Sequence, residues 1–173
     1  MVSGGICCES EVTTLSEVTV VRVTKDNYHL FADMVFWRQQ GRERTVEEKQ
    51  VSASMEYKDA GKALESGHLF VFAAQCAGRF VGWISIVFMP KVSRWTHGVL
   101  YIDELWTAAE HRRRGVASRL LECVDALGEQ TEADAVRLYV GTDNADARSL
   151  YERHGFVIQG EAFFMERSGE TRR

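Results

Sequence analysis

Two β-rich runs, Leu69 to Cys76 and Phe80 to Phe88, are separated only by Ala77-Gly78-Arg79. So short a link joins strands as an antiparallel hairpin, and Gly78 supplies a turn residue that tolerates positive φ. A third run, Val99 to Thr107, follows the loop opened by Pro90 and is apolar on both faces except at Asp103 and Glu104. A strand of that kind belongs inside a sheet covered on both sides. The chain is thereby committed to a layered fold around a central sheet.

The flanking segments supply the layers. Val18 to Val23 is β-branched and predicts a first strand, handing over at Lys25-Asp26-Asn27 to a helix that runs through Leu30 to about Gln40, with Asp26 as its expected N-cap. Residues 45 to 65 read as a weakly periodic helix whose apolar positions Val46, Val51, Met55 and Leu64 should pack on one side of the sheet. Val116, Leu120, Val124 and Leu127 recur at helical spacing, widened by Ala117 and Leu121. Ala135 to Val140 predicts a strand, Asn144 to Arg153 a helix, and Phe156 to Ile158 and Ala162 to Met165 two short closing strands. Antiparallel strands first and a strand–helix–strand–helix unit after them make an α/β (α+β) sandwich.

The 173 residues, 45% hydrophobic, are the length of one domain, expected over 17–167 with a poorly ordered extension at 1–16 and a polar tail at 168–173. Lys and Arg number 21 against 25 Asp and Glu, a net charge of −4 that does not suggest a nucleic-acid partner. No apolar run approaches the ~18 residues that span a bilayer, and MVSGGICCES lacks the features of a signal peptide, so a cytoplasmic protein without a membrane partner is expected. Cys7, Cys8, Cys76 and Cys123 form no CxxC pair and no zinc-like spacing with histidine. Reduced thiols and no metal are the expectation, and a homodimer stays open.

The stretch EHRRRGVASRL, residues 110 to 120, is the most pointed local feature. A helix beginning straight after a strand offers unpaired N–H groups and a positive dipole end to an anion. Gly115 and Ala117 keep the approach open, while Arg112, Arg113 and Arg114 oppose the dipole unless an anion joins them. The site suits a pyrophosphate. Gly61-Lys62 is followed by Ala63, so no GxxxxGK[ST] loop exists, and no GxGxxG is present, which sets aside nucleotide hydrolysis and dinucleotide redox chemistry.

Leu105-x-Thr107 followed by Arg112-x-x-Gly115-x-Ala117 resembles the acetyl-CoA signature Arg/Gln-x-x-Gly-x-Gly/Ala of the GNAT superfamily of N-acetyltransferases. Independently, Asn144-x-x-Ala147-x-x-Leu150-Tyr151-x-x-x-Gly155-Phe156 is similar to the pattern that follows the next strand in that family. The resemblance covers about residues 69 to 160, and Thr107 and Ala109 stand where the family often has valine and proline.

The resemblance implies a mostly antiparallel sheet in which two parallel strands, here 99 to 107 and 135 to 140, splay apart to admit the pantetheine arm. It implies acetyl-CoA as co-substrate, held along Leu105, Trp106 and Thr107, with the diphosphate on the turn of Arg112, Arg113, Arg114, Gly115, Val116 and Ala117 and with help from Asn144. Gly115→Val should obstruct that approach. The reaction implied is direct acetyl transfer to an amine, which at a free pKa of ~10.4 must first lose a proton. Asp103 and Glu104 are the candidate bases, and strand alternation is expected to send them to opposite faces; Asp103 matches the offset of an acid in many similar enzymes. The competing expectation is that one pairs with an arginine and the other meets solvent. Tyr151 is the candidate acid for the leaving thiolate.

Cys76 and Cys123 lie in apolar patterns, which argues against a covalent acetyl-cysteine. Lys91, Arg94, Trp95 and His97 line either the acceptor site or merely an exposed loop. An acidic chain with paired carboxylates favours a cationic acceptor, with a small-molecule amine placed ahead of a protein N-terminus or lysine. A non-catalytic acyl-CoA sensor is the rival of a different class.

Overall fold

The computed structural model describes residues 18–92, 97–163 and 165–167. They form two compact units, one through Tyr139 and one from Val140 onward. The extension expected at 1–16 lies outside the described residues, as do Arg94, Trp95 and the tail expected at 168–173.

The first unit is a five-stranded sheet in the order β1-β2-β3-β4-β5, with strands at Thr19–Arg22, Leu69–Cys76, Arg79–Pro90, Gly98–Thr107 and Ala135–Leu138. The first three pairings are antiparallel and β4 with β5 is parallel, so the expected architecture is the one observed. The hairpin turns at Ala77 and Gly78, both at positive φ.

Helices α1 (Tyr28–Gln40) and α2 (Val46–Leu64) follow β1. Phe31, Val35 and Leu64 pack against Val71, Ala73 and Trp83, so these helices cover one face of the sheet. The N-cap of α1 is Asn27 and not Asp26, and its side chain makes no cap bond. Instead Asn27 accepts from the Thr24 amide at 2.8 Å and donates to the Arg22 carbonyl at 2.9 Å, bracing the end of β1. Thr45 caps α2 in a reciprocal box with Glu48. The bond from Arg42 and the Thr45 amide hold the Glu48 carboxyl down at about 2.

Val46 and Val51 do not pack on the sheet as expected; they are 67% and 70% exposed. The C-terminal half of α2, through Gly61 and Leu64, is what meets the core. The Met55 side chain lies outside the described residues.

Helix α3 (Val116–Thr131) buries Val116, Leu120, Leu121, Val124 and Leu127, the stripe its periodicity predicts. Ile84, Ile86 and Leu100 are fully buried at the centre of the sheet. Each stabilises the fold by about 1.5–3 kcal/mol.

In the second unit α4 (Ala145–Arg153) is capped by Asn144, whose Oδ1 accepts from the Ala147 amide at 3.1 Å. Gly155 takes positive φ just beyond the helix, and the rings of Tyr151 and Phe156 meet edge-on at 5.6 Å. The closing strands expected at 156–158 and 162–165 are not formed among the described residues. Val157, Ile158, Phe163 and Met165 are between 66% and 97% exposed, so their β propensity finds no partner edge to pair with.

Candidate active site

The parallel ladder between β4 and β5 has four rungs, from Val99–Ala135 to Ile102–Leu138. Strand β4 then continues to Thr107 against β3 alone. On the β5 side, Asp103 to Thr107 have no ladder partner among the described residues, which opens a backbone edge five residues long. At the other end the strands are pinned: Asp134 accepts from the amides of His97 and Gly98 at 2.8 and 3.2 Å and returns its own amide to the Gly98 carbonyl at 2.9 Å. His97 therefore belongs to the pinned end of β4, and the opening lies at the far end of the strand.

The opening begins at a β-bulge. Ser85 pairs with Glu104 and Ile86 with Ile102, so Asp103 is an extra residue with no opposite number on β3. The bulge overturns the expectation that alternation separates the two carboxylates. Tyr101, opposite Val87, and Glu104, opposite Ser85, lie on the face covered by α1, and Asp103 between them is carried to that same face.

The two acids nevertheless have different surroundings. Glu104 is engaged by Arg38 of α1 and accepts from the Trp83 indole at 3.3 Å. The Arg38 guanidinium also lies over the rings of Trp83 and Trp106, at 4.9 and 5.9 Å. Asp103 is exposed and makes no hydrogen bond or ion pair among the described residues. One carboxylate with an arginine and one in solvent is the competing expectation of the sequence.

Leu105 pairs opposite Ile84 and is half-buried, whereas Trp106 joins an aromatic cluster with Trp83 at 4.8 Å and Trp37 at 6.2 Å. Thr107 ends the strand with its Oγ1 buried and without a hydrogen-bond partner. Gly82 of β3 makes this close contact with the end of β4: a Cβ there would stand 2.8 Å from the Trp106 carbonyl oxygen and 3.1 Å from Val116.

From Thr107 the chain makes one 3₁₀ turn (Ala109–His111) and reaches the arginines. Arg112 folds back, its Nε donating to the Thr107 carbonyl at 3.2 Å, and so ties the turn to the strand. Arg113 takes a left-handed conformation with φ 58°, Gly115 another with φ 80°, and Gly115 is the N-cap of α3. No side chain caps this helix, so the amides of Val116 and Ala117 begin it without a side-chain acceptor. Arg113 and Arg114 are exposed. A Cβ on Gly115 would meet nothing within 4 Å, so a larger residue at this position is opposed within the chain by the backbone angle and not by crowding.

Burial pushes the Tyr151 phenol above its ordinary value, which keeps it protonated at neutral pH. Burial likewise raises the Cys123 thiol to about 12, and its Sγ donates to the Leu120 carbonyl at 2.8 Å. Such a thiol is no nucleophile at neutral pH. No group of three or more His, Cys, Asp or Glu suited to a metal occurs among the described residues, and none of the described helices is long and apolar enough to cross a membrane.

Residues 31–156 match the acetyltransferase (GNAT) family. The protein belongs to that family. It is 26% identical over 153 residues to an uncharacterized N-acetyltransferase of Methanocaldococcus jannaschii, covering 82% of this chain and 63% of the relative's length. Among solved structures, the GNAT fold seen here is similar to that of AAC(6')-Iy bound to the bisubstrate analogue CoA-S-monomethyl-acetylneamine, with a TM-score of 0.69, 15% identity, and 89% and 100% of the two chains covered. A ribosomal-protein-alanine N-acetyltransferase from Brucella melitensis matches with a TM-score of 0.62 at 17% identity, over 86% and 98% of the chains.

Sequence reasoning missed Arg38, Trp83 and Gly82. A glycine inside a strand pattern is the one signal that pointed to Gly82. Arg38 stands 66 residues from Glu104, and nothing local marks it.

Proposed function

We propose that this GNAT protein transfers the acetyl group of acetyl-CoA to a primary amine of a small molecule. The observation that carries the reading is the half-paired β4, whose open edge leads through a positive-φ turn into an uncapped helix. The residues present fit the co-substrate: the open β5-side edge of 103–107 and the orphaned Thr107 hydroxyl offer polar partners to an extended amide-bearing arm. The amides at the start of α3, with Arg113 and Arg114, suit a diphosphate. Arg112 serves this reading as the tie that positions the turn, and Asn144 as the cap of α4.

Acetyl-CoA supplies a thioester carbonyl and a thiolate leaving group. Asp103, exposed and uncommitted, accepts a proton from the substrate ammonium so that the nitrogen lone pair can attack the carbonyl carbon. Tyr151 gives its phenolic proton to sulfur as the carbon–sulfur bond breaks, the attacking nitrogen sheds its second proton to water, and the proton on Asp103 returns through water to the phenolate. Glu104, held by Arg38 and Trp83, keeps α1 against β4.

The reading is tested by following free thiol released from acetyl-CoA across a library of amines, beside thermal unfolding of the protein with acetyl-CoA or with acetyl-pantetheine, which lacks the diphosphate. Thiol release with at least one amine and markedly greater protection by acetyl-CoA are expected. Equal protection by both ligands rejects the cradle. Tight binding without turnover on any amine replaces the enzyme with a sensor.

A further inference from the structure

Beyond Glu104 the α1 face of the sheet runs on toward β5 and carries four residues whose side chains take no part in holding acetyl-CoA. Tyr101 pairs with Arg137, and the next position on each strand facing the same way is Asp103 on β4 and Tyr139 just past β5. The rings of Tyr101 and Tyr139 meet at 5.6 Å, tilted by 60°, and Tyr139 is 74% exposed. Their contact runs along one diagonal of the patch. Asp103 and Arg137 occupy the other, both exposed and neither in an ion pair among the described residues. Strand geometry sets their backbones about 8 Å apart. Burial, then Tyr139 and last the Asp103 charge hold the Tyr101 phenol above its ordinary value.

The charge balance of this face is the informative point. Glu104 is neutralised by Arg38, so the uncompensated groups are one carboxylate and one guanidinium on either side of an aromatic floor. A polycation gains at Asp103 and is repelled at Arg137. A molecule that carries an ammonium, a carboxylate and an apolar side chain gains at all three. We infer that Tyr101, Asp103, Arg137 and Tyr139 form the acceptor seat, and that the acceptor is a zwitterionic amine with an apolar side chain, of the amino-acid type. This inference rests on the acetyl-transfer reading, because it places the amine beside the base and the opening of β4.

The test uses matched pairs, leucine with leucinamide and phenylalanine with phenylalaninamide, and spermidine as a polycation, in the thiol-release assay. The free carboxylate is expected to raise kcat/KM about tenfold within each pair, as one charge-assisted bond would. Arg137→Gln should erase that preference, Arg137→Lys retain part of it, and both should bind acetyl-CoA as the wild type does. Tyr139→Leu should raise the acceptor KM. Equal use of both members of each pair, spermidine as the preferred acceptor, or a preference that survives Arg137→Gln overturns the inference. If no amine releases thiol, the transfer reading falls, and calorimetric titration of the same pairs into the CoA-bound protein decides this one. Binding that needs both the carboxylate and Arg137 supports it, and the absence of such a difference overturns it.

Discussion

Strand β4 presents two halves in opposite situations. From Val99 to Ile102 it is paired on both edges, and Val99, Leu100 and Ile102 are at most 4% exposed. From Asp103 to Thr107 it keeps β3 alone, carries the extra residue of the bulge, and has no fully buried side chain. The length of the partner strand makes the difference: β5 supplies four rungs and stops at Leu138. On the proposed reading one half contributes to stability and the other to chemistry, so substitutions along a single strand should separate the two.

The largest effects are expected at the chemical end. Tyr151→Phe, which removes only a hydroxyl, and Asp103→Asn should each lower turnover by roughly 10²–10⁴ while acetyl-CoA binding persists in calorimetry. The sign of the Tyr151 shift fixes the pH behaviour: a phenol raised above ~10 stays protonated as pH rises through neutrality, so the alkaline limb it causes lies above pH ~10 and vanishes in Tyr151→Phe. Asp103→Asn should instead abolish the acidic limb. Full activity in either variant removes that residue from the mechanism.

At the sealed end, Leu100→Ala should cost about 2–5 kcal/mol in denaturant unfolding, because Leu100 is wholly buried and its removal leaves a cavity. Leu105→Ala, five residues on and half-buried, should cost clearly less and weaken acetyl-CoA binding more. Equal stability losses would mean that the two halves are packed alike.

A smaller effect is expected at the turn. Gly115→Ala should destabilise by about 1–2 kcal/mol through its left-handed backbone alone, since the added methyl meets no atom. The apparent constant for acetyl-CoA should rise while that for the amine holds. Smallest of all, Glu104→Gln should cost under about 1 kcal/mol, because the pair with Arg38 is 38% and 40% exposed and water screens it. It should leave the pH–rate profile of the wild type in place; a lost acidic limb there would transfer the role of base to Glu104.

What was legible in the sequence is what leaves a periodic or local trace. The Ala77–Arg79 hairpin, the Val116–Leu127 stripe and the arginine–glycine turn each repeat a spacing that backbone geometry dictates. The bulge leaves no such trace. Counting alternation from Ile102 puts Asp103 and Glu104 on opposite faces, and only the register against Ser85 and Ile86 brings them together. The partner of Glu104 was hidden by distance along the chain, and the cap of α1 by the preference of Asn27 for bonds to β1 over its own helix. At 156–165, β propensity predicted strands that the described residues do not form, because a strand needs an edge to pair with as well as a sequence.

The packing of Trp106 has an optical consequence. Of the four tryptophans in the chain, Trp37, Trp83 and Trp106 form a contiguous ring cluster, and Trp106 immediately precedes the orphaned hydroxyl of Thr107. Rings 4.8 and 6.2 Å apart exchange excitation, so the cluster emits as a unit whose colour and yield follow the most disturbed member. Occupation of the open end of β4 should therefore shift the native emission of the unlabelled protein, giving a direct optical titration, and Trp106→Phe should blunt the signal more than its share of the indoles.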